Sequence, residues 1–104
     1  MSWRVIVRPE AEQDMVETAD WYEAQRPGLG SEFVQEVIRV WNALAENPLL
    51  NSRRHPQKDI RWRYPERFPH RIIYEVIEVD KTVVVAAILH AARHDRLWQR
   101  RLSG

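Results

Sequence analysis

At 104 residues the chain has the size of one domain, expected to span residues 1–104, and can fold around a single hydrophobic core without metals or disulfides. The absence of cysteine excludes a disulfide framework and a thiolate metal site, which fits a reducing compartment, so a cytoplasmic protein is expected. No stretch approaches the ~18 apolar residues of a membrane helix, and the N-terminus MSWRVIVRPE has no apolar signal core, so neither a membrane span nor export is expected.

The net charge of +1 hides an asymmetry: residues 1–46 hold four arginines against nine acids, and residues 47–104 hold twelve Lys or Arg against six. Either the basic half meets a polyanion or an acidic partner, or the two halves neutralise each other. Fourteen of the sixteen basic residues are arginine, whose planar fork suits phosphate and carboxylate, and this tilts the balance toward a binding surface.

Residues 3–8 (WRVIVR) are short and β-branched and are closed by Pro9, the pattern of a strand. Pro9 suits a first helical position, and Glu10, Glu12 and Asp14 complement the positive end of a helix. Ala11, Met15, Thr18 or Ala19, and Tyr22 recur at helical spacing, so an amphipathic helix is expected to end near Gln25, before Arg26-Pro27-Gly28. A second helix follows from Leu29 or Ser31, with Ser31 as a candidate cap and Phe33, Val37, Val40 or Trp41, and Leu44 on one face. It stops at Glu46-Asn47-Pro48. The two helices form an antiparallel hairpin.

Residues 49–57 have no usable period and read as a loop. Ile60, Trp62 and Tyr64 then alternate with Asp59, Arg61 and Arg63, the signature of a half-buried strand whose polar face carries both arginines. Residues 71–79 and 82–90 are apolar on both faces, as inner strands are, with Asp80-Lys81 as the turn between them. A two-residue turn sets Arg71 opposite His90 and Tyr74 opposite Ala87. The residues after His90 read as a short basic tail. The order β-α-α-β-β-β defines an α+β fold, an antiparallel sheet with an N-terminal helical hairpin packed on one face.

No glycine-rich phosphate loop and no zinc-ligand spacing is present, so no cofactor and no metal are expected. What remains is a cluster of Arg61, Arg63, Arg67, Arg71, His90, Arg93, His94 and Arg96 with the aromatics Trp62, Tyr74 and Trp98. Arginines interleaved with aromatics suit phosphodiester binding, charge for the backbone and flat faces for bases. Each ring taken singly is more readily explained as core packing. His90 closes an apolar strand and is either a satisfied edge histidine or a general acid or base.

Phe68-Pro69-His70-Arg71-Ile72-Ile73-Tyr74, the valine-rich strand after Asp80-Lys81, and His90-x-x-Arg93 followed by Trp98 resemble the RelE/ParE superfamily of type II toxins. The likeness extends to the element order and to Trp21-Tyr22 at the end of the first helix. It implies a small bacterial toxin encoded with an antitoxin that wraps and neutralises it. RelE-like members cleave mRNA in the ribosome, whereas ParE-like members block DNA gyrase without being nucleases. In the RNA-cleaving branch Arg71 and Arg93 match two functional arginines and Arg61-x-Arg63 matches a Lys-x-Lys pair. Arg71 would then hold the scissile phosphate, with Arg93 or His90 taking part in proton transfer to the leaving oxygen.

Arginine stays ionised and is a poor proton carrier, so Arg61 and Arg63 weaken the acid–base half of that mechanism. Trp98 or Gln99 stands where the RNA-cleaving branch has a tyrosine, and tryptophan has no hydroxyl. His90-x-x-Arg93 with a downstream tryptophan is more similar to the ParE and plasmid-stabilisation members. The resemblance therefore implies a gyrase inhibitor that is not an enzyme. Arg61, Arg63, Arg71, Arg93, His94, Arg96 and Trp98 would contact target or nucleic acid, and a cognate antitoxin would hold it in a heterotetramer or larger complex. The alternatives are an mRNA endonuclease using Arg71, His90 and Arg93, or a toxin-like domain without remaining toxicity.

Overall fold

The computed structural model describes residues 2–92 and 96–102. Arg4–Val7 forms β1, Pro9–Gln25 α1, Leu29–Glu46 α2, Ile60–Arg63 β2, His70–Ile77 β3, Thr82–His90 β4 and Arg96–Leu102 α3. Both long helices have the bounds that the proline and glycine punctuation predicts. Helix α1 starts on Pro9, with Glu10 and Glu12 in its first turn. Its inward residues are Ala11, Met15, Ala19 and Tyr22. Gly28, at φ 90°, turns the chain into α2.

Ser31 does not cap α2. The Glu23 carboxylate, from the last turns of α1, accepts the backbone N–H groups of Gly28 at 2.9 Å and Gly30 at 3.0 Å. One acid thus satisfies two otherwise orphaned donors and sits at the positive end of the second helix. Gly30 lets the helices touch, because a Cβ there would stand 2.5 Å from the Ala19 carbonyl oxygen. From α2, Phe33, Val37, Val40 and Leu44 are buried against the sheet. Full burial of each such side chain is worth about 1.5–3 kcal/mol.

The sheet runs β1-β4-β3-β2, with β3 and β4 inside as their apolar runs require. It is mixed, not wholly antiparallel, because β1 lies parallel to β4 while the other pairs are antiparallel. The helical hairpin carries the chain across one face to the far edge. The β2-β3-β4 meander then returns β4 alongside β1, and side-chain alternation says nothing about strand direction.

The register also differs from the two-residue-turn expectation. Strand β3 stops at Ile77, Glu78–Asp80 forms a 3-10 turn, and Lys81 takes φ 50°. Ile77 therefore faces Thr82, and Tyr74 faces Val85 rather than Ala87. Between the pairs Tyr74–Val85 and Ile73–Ala87 the ladder has a bulge, with Ala86 as the extra residue. Beyond it His70 faces His90 and Arg71 faces Leu89. One added residue reverses the face to which the end of β4 points.

Two cores result. Val83, Val85 and Ile88 join Ile72, Tyr74 and Val76 under the helical hairpin, and Ala86, Ala87 and Leu89 join Ile60 and Ile73 on the other face. The basic tail covers that second face as helix α3, burying Trp98 and Leu102. Basic side chains pin the helix. Arg101 donates to Asp14 at 2.7 Å and to the carbonyl of the bulged Ala86 at 3.0 Å. Arg8 donates to the Arg101 carbonyl at 2.8 Å and the Lys58 ammonium to the Leu102 carbonyl, covering the negative end of α3.

Candidate functional site

The cluster that looks continuous in sequence is divided by the sheet. Arg61 faces Tyr74 and Arg63 faces Ile72 across the β2–β3 ladder, so both lie on the helical-hairpin side. Arg71, paired with Leu89, lies on the α3 side.

Arg61 is fully engaged. Its Nε and Nη2 donate to the Asp59 carboxylate at 2.6 and 3.2 Å, and its Nη1 donates to the carbonyls of Asn51 at 2.6 Å and Leu49 at 2.9 Å. The bond to Asp59 holds its pKa above the ordinary arginine value. This arginine fastens the loop before β2, where the sequence shows no structure at all. Arg63 is half-buried, and its Nη1 is buried without a hydrogen-bond partner among the described residues. Tyr74 is completely buried and donates its hydroxyl to the Pro48 carbonyl at 3.0 Å.

On the α3 side Trp62 is the centre. The Arg71 guanidinium lies 4.9 Å from its ring centroid and that of Arg54 lies 5.0 Å from it, both within cation–π range. Trp98 meets the same ring edge-on at 6.3 Å. Arg71 is only 5% exposed and Trp98 only 2%, so Trp98 is core and offers no open face for a base to stack on. Arg96 is exposed at the start of α3. Arg93 and His94 lie outside the described residues.

On the hairpin side His70 and His90 meet ring to ring at 5.2 Å. His70 is buried among Tyr22 and Phe33, at 5.7 and 5.3 Å. Burial, and secondarily His90, push its pKa down to about 4. The two histidines close one end of a groove of about 610 Å³ against Glu17, Trp21 and Tyr22 of α1, with Trp21 59% exposed. Arg71 and His90 are therefore on opposite faces, and no described geometry brings them to one ligand. His70 and Arg54 were not singled out by the sequence. His70 shares the period of Ile72 and Tyr74, a signal that was available, whereas Arg54 stands in a stretch without period.

The charge asymmetry is partly internal neutralisation. Arg67 pairs with Glu32 at 3.0 Å, and Arg101 pairs with Asp14, basic residues of the second half meeting acids of the first. Among the described residues no group of three or more His, Asp or Glu side chains could hold a metal ion, and no helix is long and apolar enough to cross a membrane.

Solved structures share this fold, a helical hairpin over a four-stranded sheet. A chain of the chromosomal ParDE TA system from P. aeruginosa superposes with a TM-score of 0.71 at 18% identity, covering 85% of this chain and 95% of that one. A mutant of E. coli toxin RelE in the free state superposes with a TM-score of 0.74 at 15% identity, covering 98% and 99%. No curated protein matches the sequence. The family described as the ParE toxin of type II toxin-antitoxin system, parDE, matches residues 5–95. The chain belongs to that ParE toxin family, and as a toxin of this kind it has an antitoxin as its partner.

Proposed function

We propose that the protein arrests growth by binding DNA gyrase, without cutting RNA, in the cytoplasm, and that its antitoxin holds it inactive in a heterotetramer or larger complex. The observation that carries this reading is the separation of Arg71 from His90 by the sheet. RNA cleavage needs a group that holds the phosphate and one that moves a proton, both within reach of the same bond. Arg71 pairs with Leu89 and lies over the Trp62 ring, on the face of the sheet opposite His90. Arg61, the other candidate, is bound to Asp59 and two carbonyls. What the face offers is charge and aromatic surface, which binds. The family match to ParE toxins supports the same choice.

Induction of the toxin without antitoxin is the first experiment, and growth arrest is expected. Purified protein should then inhibit gyrase supercoiling and leave mRNA intact in programmed ribosomes. Cleavage of that mRNA, lost in His90→Ala and Arg93→Ala, would sink the proposal, and absence of arrest would mean a toxin fold without toxicity.

A further inference from the structure

Helix α1 contains six acids and no lysine or arginine. Two of the acids have internal roles, since Asp14 binds Arg101 and Glu23 accepts the backbone N–H groups at the start of α2. Glu17 has neither kind of role. It accepts a hydrogen bond from Gln13 at 3.0 Å and is in no ion pair among the described residues. Trp21 follows one turn later, so the two share a helix face, and both line the groove of about 610 Å³ that the histidines close. An edge-on contact with Tyr22 at 5.1 Å fixes the Trp21 indole while leaving it 59% exposed.

The opposite wall supplies no charge to balance Glu17. No lysine or arginine is among the described lining residues. Burial pushes the pKa of His70 down to about 4, so its ring is neutral at physiological pH. His90 Nδ1 accepts the Ala92 backbone N–H at 3.0 Å, a bond that only the neutral imidazole makes. His70 is 7% exposed, and its Nδ1 is buried without a hydrogen-bond partner among the described residues. Such an atom is costly, and in native proteins it commonly marks a place where a ligand completes the bonding. The groove therefore brings together a carboxylate without a cation, an exposed indole and two neutral imidazoles.

We propose that this groove binds an arginine side chain presented by a protein partner. A guanidinium is planar and carries several N–H donors in a rigid fork, so it lies flat on the Trp21 indole while donating to Glu17 and to an imidazole nitrogen. The volume leaves room for the residues that flank the arginine. A nucleic acid base would also stack on the indole, but its phosphates would meet the unpaired acids of α1. An apolar side chain would cover the Glu17 carboxylate without neutralising it. The proposal does not rest on the gyrase reading, because the groove lies on the face of the sheet opposite Arg71.

The test is a titration of the ¹⁵N-labelled full chain at low salt with the blocked tripeptide acetyl-Ala-Arg-Ala-amide. The Trp21 indole N–H, assigned with Trp21→Phe, should shift, and citrulline in place of the arginine should weaken binding about tenfold or more, because it keeps the shape and loses the charge. Followed at the backbone N–H of Thr18, Trp21→Ala should weaken binding about fivefold and Glu17→Gln about threefold. Both side chains are exposed, so the thermal midpoint should stay close to that of the parent. Glu46→Gln, at the exposed end of α2, should change binding less than about 1.5-fold. An unmoved Trp21 signal, a citrulline or lysine peptide that binds as tightly as the arginine peptide, or equal losses in Glu17→Gln and Glu46→Gln would overturn the proposal. Supercoiling inhibition is measured separately, so its success or failure leaves this result unaffected.

Discussion

Arg101 on the last helix donates to the Asp14 carboxylate on the first at 2.7 Å, and the same carboxylate oxygen accepts the Ile88 backbone N–H at 2.9 Å. Strand β1 ends its pairing with β4 at Val85, so the N–H of Ile88 has no β1 partner, and Asp14 supplies the acceptor. Arg101 in turn neutralises Asp14 and ties α3 to the bulged Ala86. Helix, strand and tail are joined through one ion pair whose side chains are 20% and 13% exposed.

Arg101→Met should cost about 2 kcal/mol, below the range for a fully buried pair because this one is partly wet. The urea midpoint measures the loss, and hydrogen exchange should show the α3 amides opening ahead of the sheet. If α3 stays protected in the variant, the pair is not its anchor.

Trp98 fixes the other end of that helix. Truncation to Ala should leave a cavity against Ile60, Ile73 and Leu89 and cost about 3–5 kcal/mol, while Trp98→Phe should cost markedly less. Thermal or urea unfolding separates the two. A ring that served to stack on bases from the surface would show almost no stability loss in either variant.

These two residues show what was legible in the sequence and what was not. Prolines at Pro9, Pro27 and Pro48 and the glycine at Gly28 bound both long helices, and the dense apolar runs identify the inner strands. Helix α3 is seven residues long, too short to show a helical period, and its Trp98 reads equally as core or as ligand surface. The bulge is the larger loss. Ala86 and Ala87 are small and apolar, so nothing in their chemistry announces an extra residue in the ladder, yet that residue and the 3-10 turn together set His70 rather than Arg71 opposite His90. The separation of Arg61 and Arg63 from Arg71 likewise needs the β2–β3 register, which no local pattern encodes.

His70 makes stability depend on pH. Its pKa falls from 6.5 in the unfolded chain to about 4 in the fold, because the ring is buried. Between these values the unfolded state binds the extra proton. The stabilisation is therefore complete above pH 6.5 and is lost as pH falls toward 4, by about 3 kcal/mol. Urea midpoints at pH 7.5 and 4.5 should differ by less in His70→Phe than in the parent. An unchanged difference would remove His70 as the cause.

Gly30 holds the helical hairpin closed. A Cβ at this position would lie only 2.5 Å from the Ala19 carbonyl oxygen, so Gly30→Ala must push α2 away from α1 and disturb the Glu23 bonds to its first turn. A loss of about 1–3 kcal/mol is expected, despite the higher helix propensity of alanine. A stabilised variant, read from the thermal midpoint, would show that the helices can separate without cost.

Arg71 and His90 supply the prediction that bears most directly on function. They project from opposite faces of one sheet, Arg71 toward Trp62 and His90 toward His70 and the α1 groove. Residues that share a ligand couple, and residues without shared partners add. In a double-mutant cycle of Arg71→Ala and His90→Ala on target affinity, the coupling should stay within about 0.5 kcal/mol. Two groups acting on one phosphate would instead show the double variant no worse than the stronger single one, as units of a catalytic site do. That result would return the pair to a common site and favour cleavage over binding.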